Sequence, residues 1–382
     1  MSNTPALRRR ARLSNLIAAQ VSAATLPSTA KLEIAEIALF PLREPVSQRT
    51  YTAVRVRTRG GITGFGEGPQ ISAADFTPTR QYWMGRPATA YTTAGPVLPL
   101  SGAMNTALLD IMGKLCNAPV YRLLGGPTRN KVRAFTTLGG SGATSSSGKE
   151  TVPSLERAAN AGHLAFGVPL PRPAARNQGR AYQLAVRALL TELRSGGRER
   201  FDFVLEGGGS LTPGDATSVA TTVEPFHPLW FDEPCSSSSP ETIRKISYES
   251  VVPLGFGREI ADPGIYQGLL RESLIDVVRP DIGRDGIAQI RRIAAMAEPY
   301  YVAVAPRHEG GPIATAAALH LATSIPNFFI QHLPFPFAEE DARMRAAIAG
   351  PDIERVREGF AALPTGPGLG ITVNEAVLER TG

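Results

Sequence analysis

Lysine is scarce in this chain. It occurs only at Lys31, Lys114, Lys131, Lys149 and Lys245, and arginine supplies the other cationic side chains. Mechanisms that need a lysine amine as base or Schiff-base nucleophile therefore have few candidates. The two cysteines, Cys116 and Cys235, have neither metal-site spacing nor the density of a disulfide framework, and are expected to be inert thiols. No run of 18 or more apolar residues occurs, so no membrane-spanning helix is expected. Nor is there an aromatic-interleaved basic patch or a familiar nucleic-acid motif. The net charge of +6 is spread along the chain apart from Arg8, Arg9, Arg10 and Arg12. That distribution favours small anionic ligands over nucleic acid.

The basic N-terminal cluster precedes a mildly apolar stretch, LIAAQVSAATL, and a small-residue site at Pro27, Ser28, Thr29 and Ala30. This has the outline of a twin-arginine export signal, which would give a periplasmic protein. The alternative is a flexible basic tail on a cytoplasmic one. Either way, the fold is expected to start near Lys31.

Against these absences stands one organised stretch, residues 201–260, where FDFVLE, LWFDE and VPLGFGRE each end in an acid. Glu206 and Asp232 are 26 residues apart, and Asp232 and Glu259 are 27 apart. That spacing suits successive strand and helix units. Three carboxylates at one mouth would repel and raise each other's pKa, and a divalent cation is the usual means of keeping them ionised.

The flanking chain is consistent with this frame. From 31 to 67 the pattern alternates and turns at Arg59, Gly60 and Gly61, which predicts a small antiparallel sheet. A helix follows over 103–115, ended by Asn117 and Pro119. After Arg129 strand-like and helix-like runs alternate: VRAFTTL, LAFGVPL, FDFVLE, PLWFDE, VPLGFGRE, DVVRPDI, YVAVAPRH and NFFIQHL. No glycine-rich dinucleotide fingerprint follows the first of them, which argues against a doubly wound sheet. The expectation is an α/β fold, a (β/α)7β TIM-type barrel over 131–340, with an α+β capping domain over 31–130. A late strand in GPGLGITVNEAVLER is expected to return residues 341–382 to that capping domain.

In such barrels the C-terminal strand ends carry the chemistry. The polar residues there are Glu206, Asp232, Glu259, Asp281, Arg307, His308 and His332. Any one of them could instead cap a helix or be a satisfied core group. Their recurrence at successive strand ends is harder to read that way.

From Lys31 to the C-terminus the chain resembles the enolase superfamily, in its mandelate racemase-like branch that includes the acid-sugar dehydratases. ITGFGEG, ALLDIMGKLCNAPVYRLLGG, WFDEP, GREIAD, VVRPDIGRDGI, VAPRHEGGPIATAAALHLA, PNFFIQ and GPGLGI carry the resemblance in family order. It implies Mg²⁺ held by Glu206, Asp232 and Glu259, a sugar-acid substrate, and a homo-oligomer. Glu233 is a fallback ligand, although strand alternation points it away from Asp232. The family's lysine pair falls on Gly167, Val168 and Pro169, so lysine-based proton abstraction is disfavoured. The other family base, a histidine paired with an aspartate, falls on Asp281 and on either Arg307 or His308. His332 stands where relatives place an enediolate-stabilising group, and Gly207, Gly208 and Gly209 occupy the place of a common acid. The leading expectation is a Mg²⁺-dependent hydroxy-acid dehydratase. A racemase, or a non-catalytic metal- and ligand-binding relative, are the alternatives.

Overall fold

The computed structural model describes residues 30–92, 98–139 and 148–381. The basic N-terminal cluster and its signal-like outline lie outside these residues. β1 (Ile34–Arg43), β2 (Thr50–Thr58) and β3 (Thr63–Gly68) form an antiparallel sheet in that order, with the expected tight turn between β2 and β3. Its packed face lies on the helix Ser101–Leu115, which buries Ala103, Met104, Ala107, Leu108 and Ile111 against Val54, Val56 and Ile37. The helix ends as its sequence suggests, with Asn117 at φ 49, in the left-handed region that asparagine tolerates.

Helix and sheet approach so closely that side chains are excluded at the contact. A Cβ on Gly66 would lie 1.9 Å from the Ala103 carbonyl oxygen. On its other side the same helix meets the helix Ile282–Ala297, where a Cβ on Gly286 would lie 2.9 Å from the Gly102 Cα. These glycines let the small sheet sit directly over the second, larger one.

That second sheet is parallel and takes its strands in chain order. β4 (Lys131–Thr137), β5 (Ala165–Pro169), β6 (Asp202–Glu206), β7 (Trp230–Asp232), β8 (Leu254–Phe256), β9 (Val277–Val278) and β10 (Ala303–Val304) each pair with the next. β11 (Gln331–His332) pairs in parallel with β4. Val304 N donates to Asn327 O at 2.9 Å, Phe329 N to Val304 O at 2.8 Å and His332 N to Pro306 O at 3.1 Å, so β10 is bonded to the stretch leading into β11. Phe135, Val204, Trp230, Val277 and Ile330 form a cluster on this sheet.

Four of the intervening helices start where the sequence supplies a proline with no amide hydrogen to lose. Pro213–Val223, Pro240–Ser247, Pro263–Arg271 and Pro312–Ala322 all begin so. Thr212 and Asp262 cap two of them by accepting from Asp215 N and Gly264 N. No helix among the described residues is long and apolar enough to cross a membrane.

Two expectations about elements change. VPLGFGRE is a strand only over Leu254–Phe256, so Glu259 lies in the following loop and is exposed. The chain breaks off at Gly257, where a Cβ would lie 2.7 Å from the Arg279 backbone, too close for a continued strand with side chains. The late segment contains no strand in ITVNEAVLER. It ends in the helix Glu375–Thr381, because the adjacent buried pair Val377 and Leu378 fits a helical face better than alternation. Glu375 of that helix pairs with Arg55 of β2. The late strands are instead β12 (Val356–Arg357) and β13 (Phe360–Ala362), a hairpin whose second strand adds antiparallel to β4.

The contact between the first sheet and its helix leads to a prediction. Gly66→Ala should lower stability by about 1–3 kcal/mol, the usual cost of overpacking, measured by urea unfolding. A variant as stable as the parent would show that the helix can move away from β3.

Candidate active site at the strand ends

The C-terminal ends of the parallel strands open on a cavity of about 900 Å³. Arg258, Glu259, Arg307 and Glu309 contribute to its wall on the parallel-sheet side, and Glu44, Val46, Ser47, Gln48 and Arg49 of the β1–β2 loop, with Thr50 at the start of β2, line the other. A cavity of about 520 Å³ adjoins it, sharing Thr50, Arg258 and Glu309 and bounded by Tyr51, Glu67, Asp281 and His308.

The roof loop is held from two directions. Asp341 accepts from Val46 N at 2.8 Å and Ser47 N at 2.9 Å. Arg345, 1% exposed, donates to Glu44 at 2.6 Å and to Glu354 at 2.5 Å. Both anchors come from the helix Glu339–Ala349. Sequence reasoning missed this pair, whose signal is an aspartate and an arginine one helical turn apart.

At the strand ends, guanidinium groups partner two of the carboxylates, Asp232 and Asp281. Asp232 Oδ1 accepts from Arg279 Nε at 2.7 Å and from Trp230 Nε1 at 2.8 Å. Both members of that pair are almost wholly buried. Arg279 also donates to the Ala305 carbonyl at 2.6 Å and lies 5.2 Å from the ring centroids of Phe135 and of Trp230. Glu206 Oε1 accepts from Thr137 Oγ1 at 2.6 Å. Burial pushes its carboxyl above the usual range, with the Arg258 charge opposing that rise. Glu233, at φ 43, turns its carboxylate onto backbone and accepts from Gly257 N and Arg258 N, both at 2.7 Å. Burial, then the Asp232 charge, push Glu233 up to about 7.

Glu206, Asp232 and Glu259 are therefore not a cation cage in this chain. Glu259 is exposed in a loop, Asp232 is committed to Arg279, and Glu206 faces Thr137 and the charge of Arg258. No group of three or more His, Cys, Asp or Glu residues able to hold a metal ion occurs among the described residues. The donor set does not fit Mg²⁺, because guanidinium groups balance the charge that a cation would balance. The fallback ligand Glu233 is occupied as well.

Of the two residues that could stand beside Asp281, it is Arg307 and not His308 that does so. Asp281 Oδ2 accepts from Arg307 Nη1 at 3.1 Å, while Oδ1 caps the helix Ile282–Ala297 through Gly283 N and Arg284 N. Arg307 N donates to the Pro280 carbonyl, which brings Arg307 beside Asp281 and turns His308 away. Arg307 is 5% exposed, and burial, then Arg258, lower its guanidinium to about 10. His308 Nε2 lies 3.4 Å from Thr315 Oγ1, and its ring borders the smaller cavity. Its pKa is held well below the imidazole range by burial and then by Arg345, so the ring is neutral.

His332 is deeper. Its Nε2 is 3.1 Å from Thr137 Oγ1 and its Nδ1 is 3.2 Å from the His308 carbonyl oxygen. Thr137 thus joins Glu206 to His332, a link that strand alternation alone did not reveal. Burial and then Arg307 keep His332 well below the usual imidazole pKa. At Gly167, in the place of the family's lysine pair, a Cβ would lie 2.2 Å from Glu206 Oε1, so a side chain there would require the Glu206 carboxylate to move. Cys235 is inert: it is buried, and burial pushes its thiol up to about 12.

Comparison with known proteins agrees with this architecture. Residues 176–377 match the model of the enolase C-terminal domain-like family. The chain belongs to that family. It is similar to a D-galactonate dehydratase of Ralstonia pickettii, 28% identical over 351 residues, covering 86% of this chain and 90% of the relative. A D-galactonate dehydratase family member of Streptomyces bingchenggensis is 28% identical over 380 residues, at 87% and 90% coverage. Among solved structures, a mandelate racemase/muconate lactonizing enzyme-like protein from Roseovarius sp. TM1035 superposes with a TM-score of 0.79 at 23% identity, covering 91% of this chain and 95% of that one. The enolase-superfamily resemblance is thus established, and with it an enolase-type fold. Members of the superfamily generally use Mg²⁺, which makes the guanidinium pairs of this chain a departure.

Two predictions follow from the buried charges. Arg279→Met leaves the Asp232 carboxylate buried without its partner and should cost about 3–5 kcal/mol by denaturant unfolding; a neutral result would mean that Asp232 has another counter-ion. Glu67, buried beside the smaller cavity, is raised by burial from 4.5 to about 8. A carboxyl with a raised folded pKa keeps its proton in the native state while the unfolded chain loses it, so stability falls as pH rises. Above 6.5 the buried neutral histidines no longer offset this. Melting temperature should therefore drop between pH 6.5 and 8, and less so in Glu67→Gln. Equal slopes in the two proteins would contradict this.

Proposed function

We propose that the protein acts on a hydroxy-acid of the sugar-acid class, removing its α-proton and expelling its β-hydroxyl as water. The reading takes the parallel sheet as a closed (β/α)7β barrel, capped by residues 31–130 together with the C-terminal segment 341–382; the strand pairing of β4 to β10 and of β11 with β4 supports it. One observation carries the reading. His308 borders a cavity that shares Arg258 with the larger one, so a carboxylate held by arginine at the strand ends can present its neighbouring carbons to a neutral imidazole.

The chemistry assigned to these residues is simple. Arg307 and Arg258 bind the carboxylate and stabilise the charge that grows on it as the α-carbon loses its proton. His308 takes that proton. The imidazolium so formed returns it to the leaving hydroxyl, the α-C–H and β-C–O bonds break, a double bond forms, and water departs. No lysine is needed. The sequence similarity to proteins named D-galactonate dehydratase supports the dehydratase direction.

A second reading is supported by the Asp281–Arg307 pair. A guanidinium stands where a histidine base is expected, which suits a protein that binds acids without turning them over. Solvent deuterium exchange at the α-carbon of a panel of sugar acids separates the two. Exchange and dehydration are expected, with His308→Asn slower by about 10²–10⁴-fold, the range for loss of a general base. Bound acids that never exchange would overturn the lyase reading in favour of the binding one.

A further inference from the structure

The three guanidinium groups at the strand ends are not equivalent. Arg279 is held by Asp232, the Ala305 carbonyl and two aromatic rings, all buried. Arg258 faces Glu206, Asp232, Glu233 and Glu259 together. Arg307 differs, because one of its partners can leave. Its Nη1 is fixed by Asp281, which the helix N-terminus holds in place. Its Nη2 is paired with Glu309, whose side chain is 37% exposed. Its Nε is buried and has no hydrogen-bond partner.

Nε and Nη2 form one edge of the guanidinium fork, the edge that a carboxylate engages with two parallel hydrogen bonds. Glu309 uses only half of it. Glu309 also lines both cavities, so the group on this edge lies where the two spaces meet. Glu309 is partly exposed and can turn into water, whereas the Nε–Nη2 edge of the buried Arg307, which Asp281 does not reach, needs an acceptor of its own.

We propose that the Nε–Nη2 edge of Arg307 receives the carboxylate of the acid directly, in place of a divalent cation, and that Glu309 is the resident carboxylate which the acid displaces. Glu309 then acts as an internal competitor that occupies the Nη2 side of this edge while the site is empty. The ligand class rests on the reading that this site takes an acid, but no proton transfer is required.

The test is calorimetric titration of the intact protein with a panel of four- to six-carbon sugar acids, in EDTA and again in Mg²⁺. The tightest binder is expected to have the same affinity in both. Glu309→Gln should tighten it about tenfold, as expected for removal of one competing charged hydrogen bond, and Arg307→Met should abolish it. Should Arg307→Met fail to fold, Glu309→Gln still decides, because its side chain is partly exposed. Binding seen only with Mg²⁺, unchanged or weaker binding in Glu309→Gln, or no acid bound by the folded parent would each overturn the inference. If acids bind in EDTA but none exchanges its α-proton, this inference stands and the lyase reading falls. If exchange occurs only with Mg²⁺, the reverse holds.

Discussion

The buried ion pair between Arg279 and Asp232 is the interaction on which the strand ends depend. Two charges taken from water so completely persist only with short, well-directed contacts. Here they have them: Nε to Oδ1 at 2.7 Å, the Trp230 indole on the same oxygen, and the Ala305 carbonyl on the other side of the guanidinium. The pair joins β7 to the chain just beyond β9. It also removes Asp232 from the set of free ligands, and so changes the electrostatics of the whole mouth.

From that pair the rest of the site can be followed. With Asp232 spent, Glu206 is left with Thr137 and the positive field of Arg258. Glu233 fixes the Arg258 backbone, and Asp281 takes Arg307. Asp232, Glu233 and Asp281 each have nitrogen partners supplied by the chain, while Glu206 has the Thr137 hydroxyl and Glu206 and Glu259 lie in the field of Arg258. The roof is arranged in the same manner, by Arg345 between Glu44 and Glu354. Ion pairs of this kind fix geometry by demanding that both partners stay in place, and the two cavities lie between two such sets.

Much of the frame was legible in the sequence. The spacing of Glu206, Asp232 and Glu259 marked repeating strand and helix units, and β6, β7 and β8 lie where those runs predict. The helix Ser101–Leu115 and its stop at Asn117 were readable from apolar spacing and turn chemistry. Partners were less legible, because a strand pattern says which face a residue takes but not what stands opposite. Arg279 shows the limit. It precedes Asp281 by two residues, so alternation places both on one face, yet that its charge would go to Asp232 depends on strand neighbours 47 residues away in sequence. Glu259 was misplaced because the glycine-bearing run VPLGFGRE leaves the sheet early at Gly257, where backbone crowding from Arg279 takes over. Whether Arg307 or His308 stands beside Asp281 was not legible, because on a strand one position means the other face, and it is Arg307 that takes the place.

The account's central claim is that guanidinium groups, not a divalent cation, balance the carboxylates at the strand ends. Mn²⁺ is a paramagnetic stand-in for Mg²⁺ with the same preference for oxygen ligands. Titrating it into the protein under electron paramagnetic resonance counts the bound ions directly. The account predicts a free-ion signal that grows with added Mn²⁺ as it does in buffer alone. One tightly bound ion per chain, lost in Asp232→Asn, would contradict it.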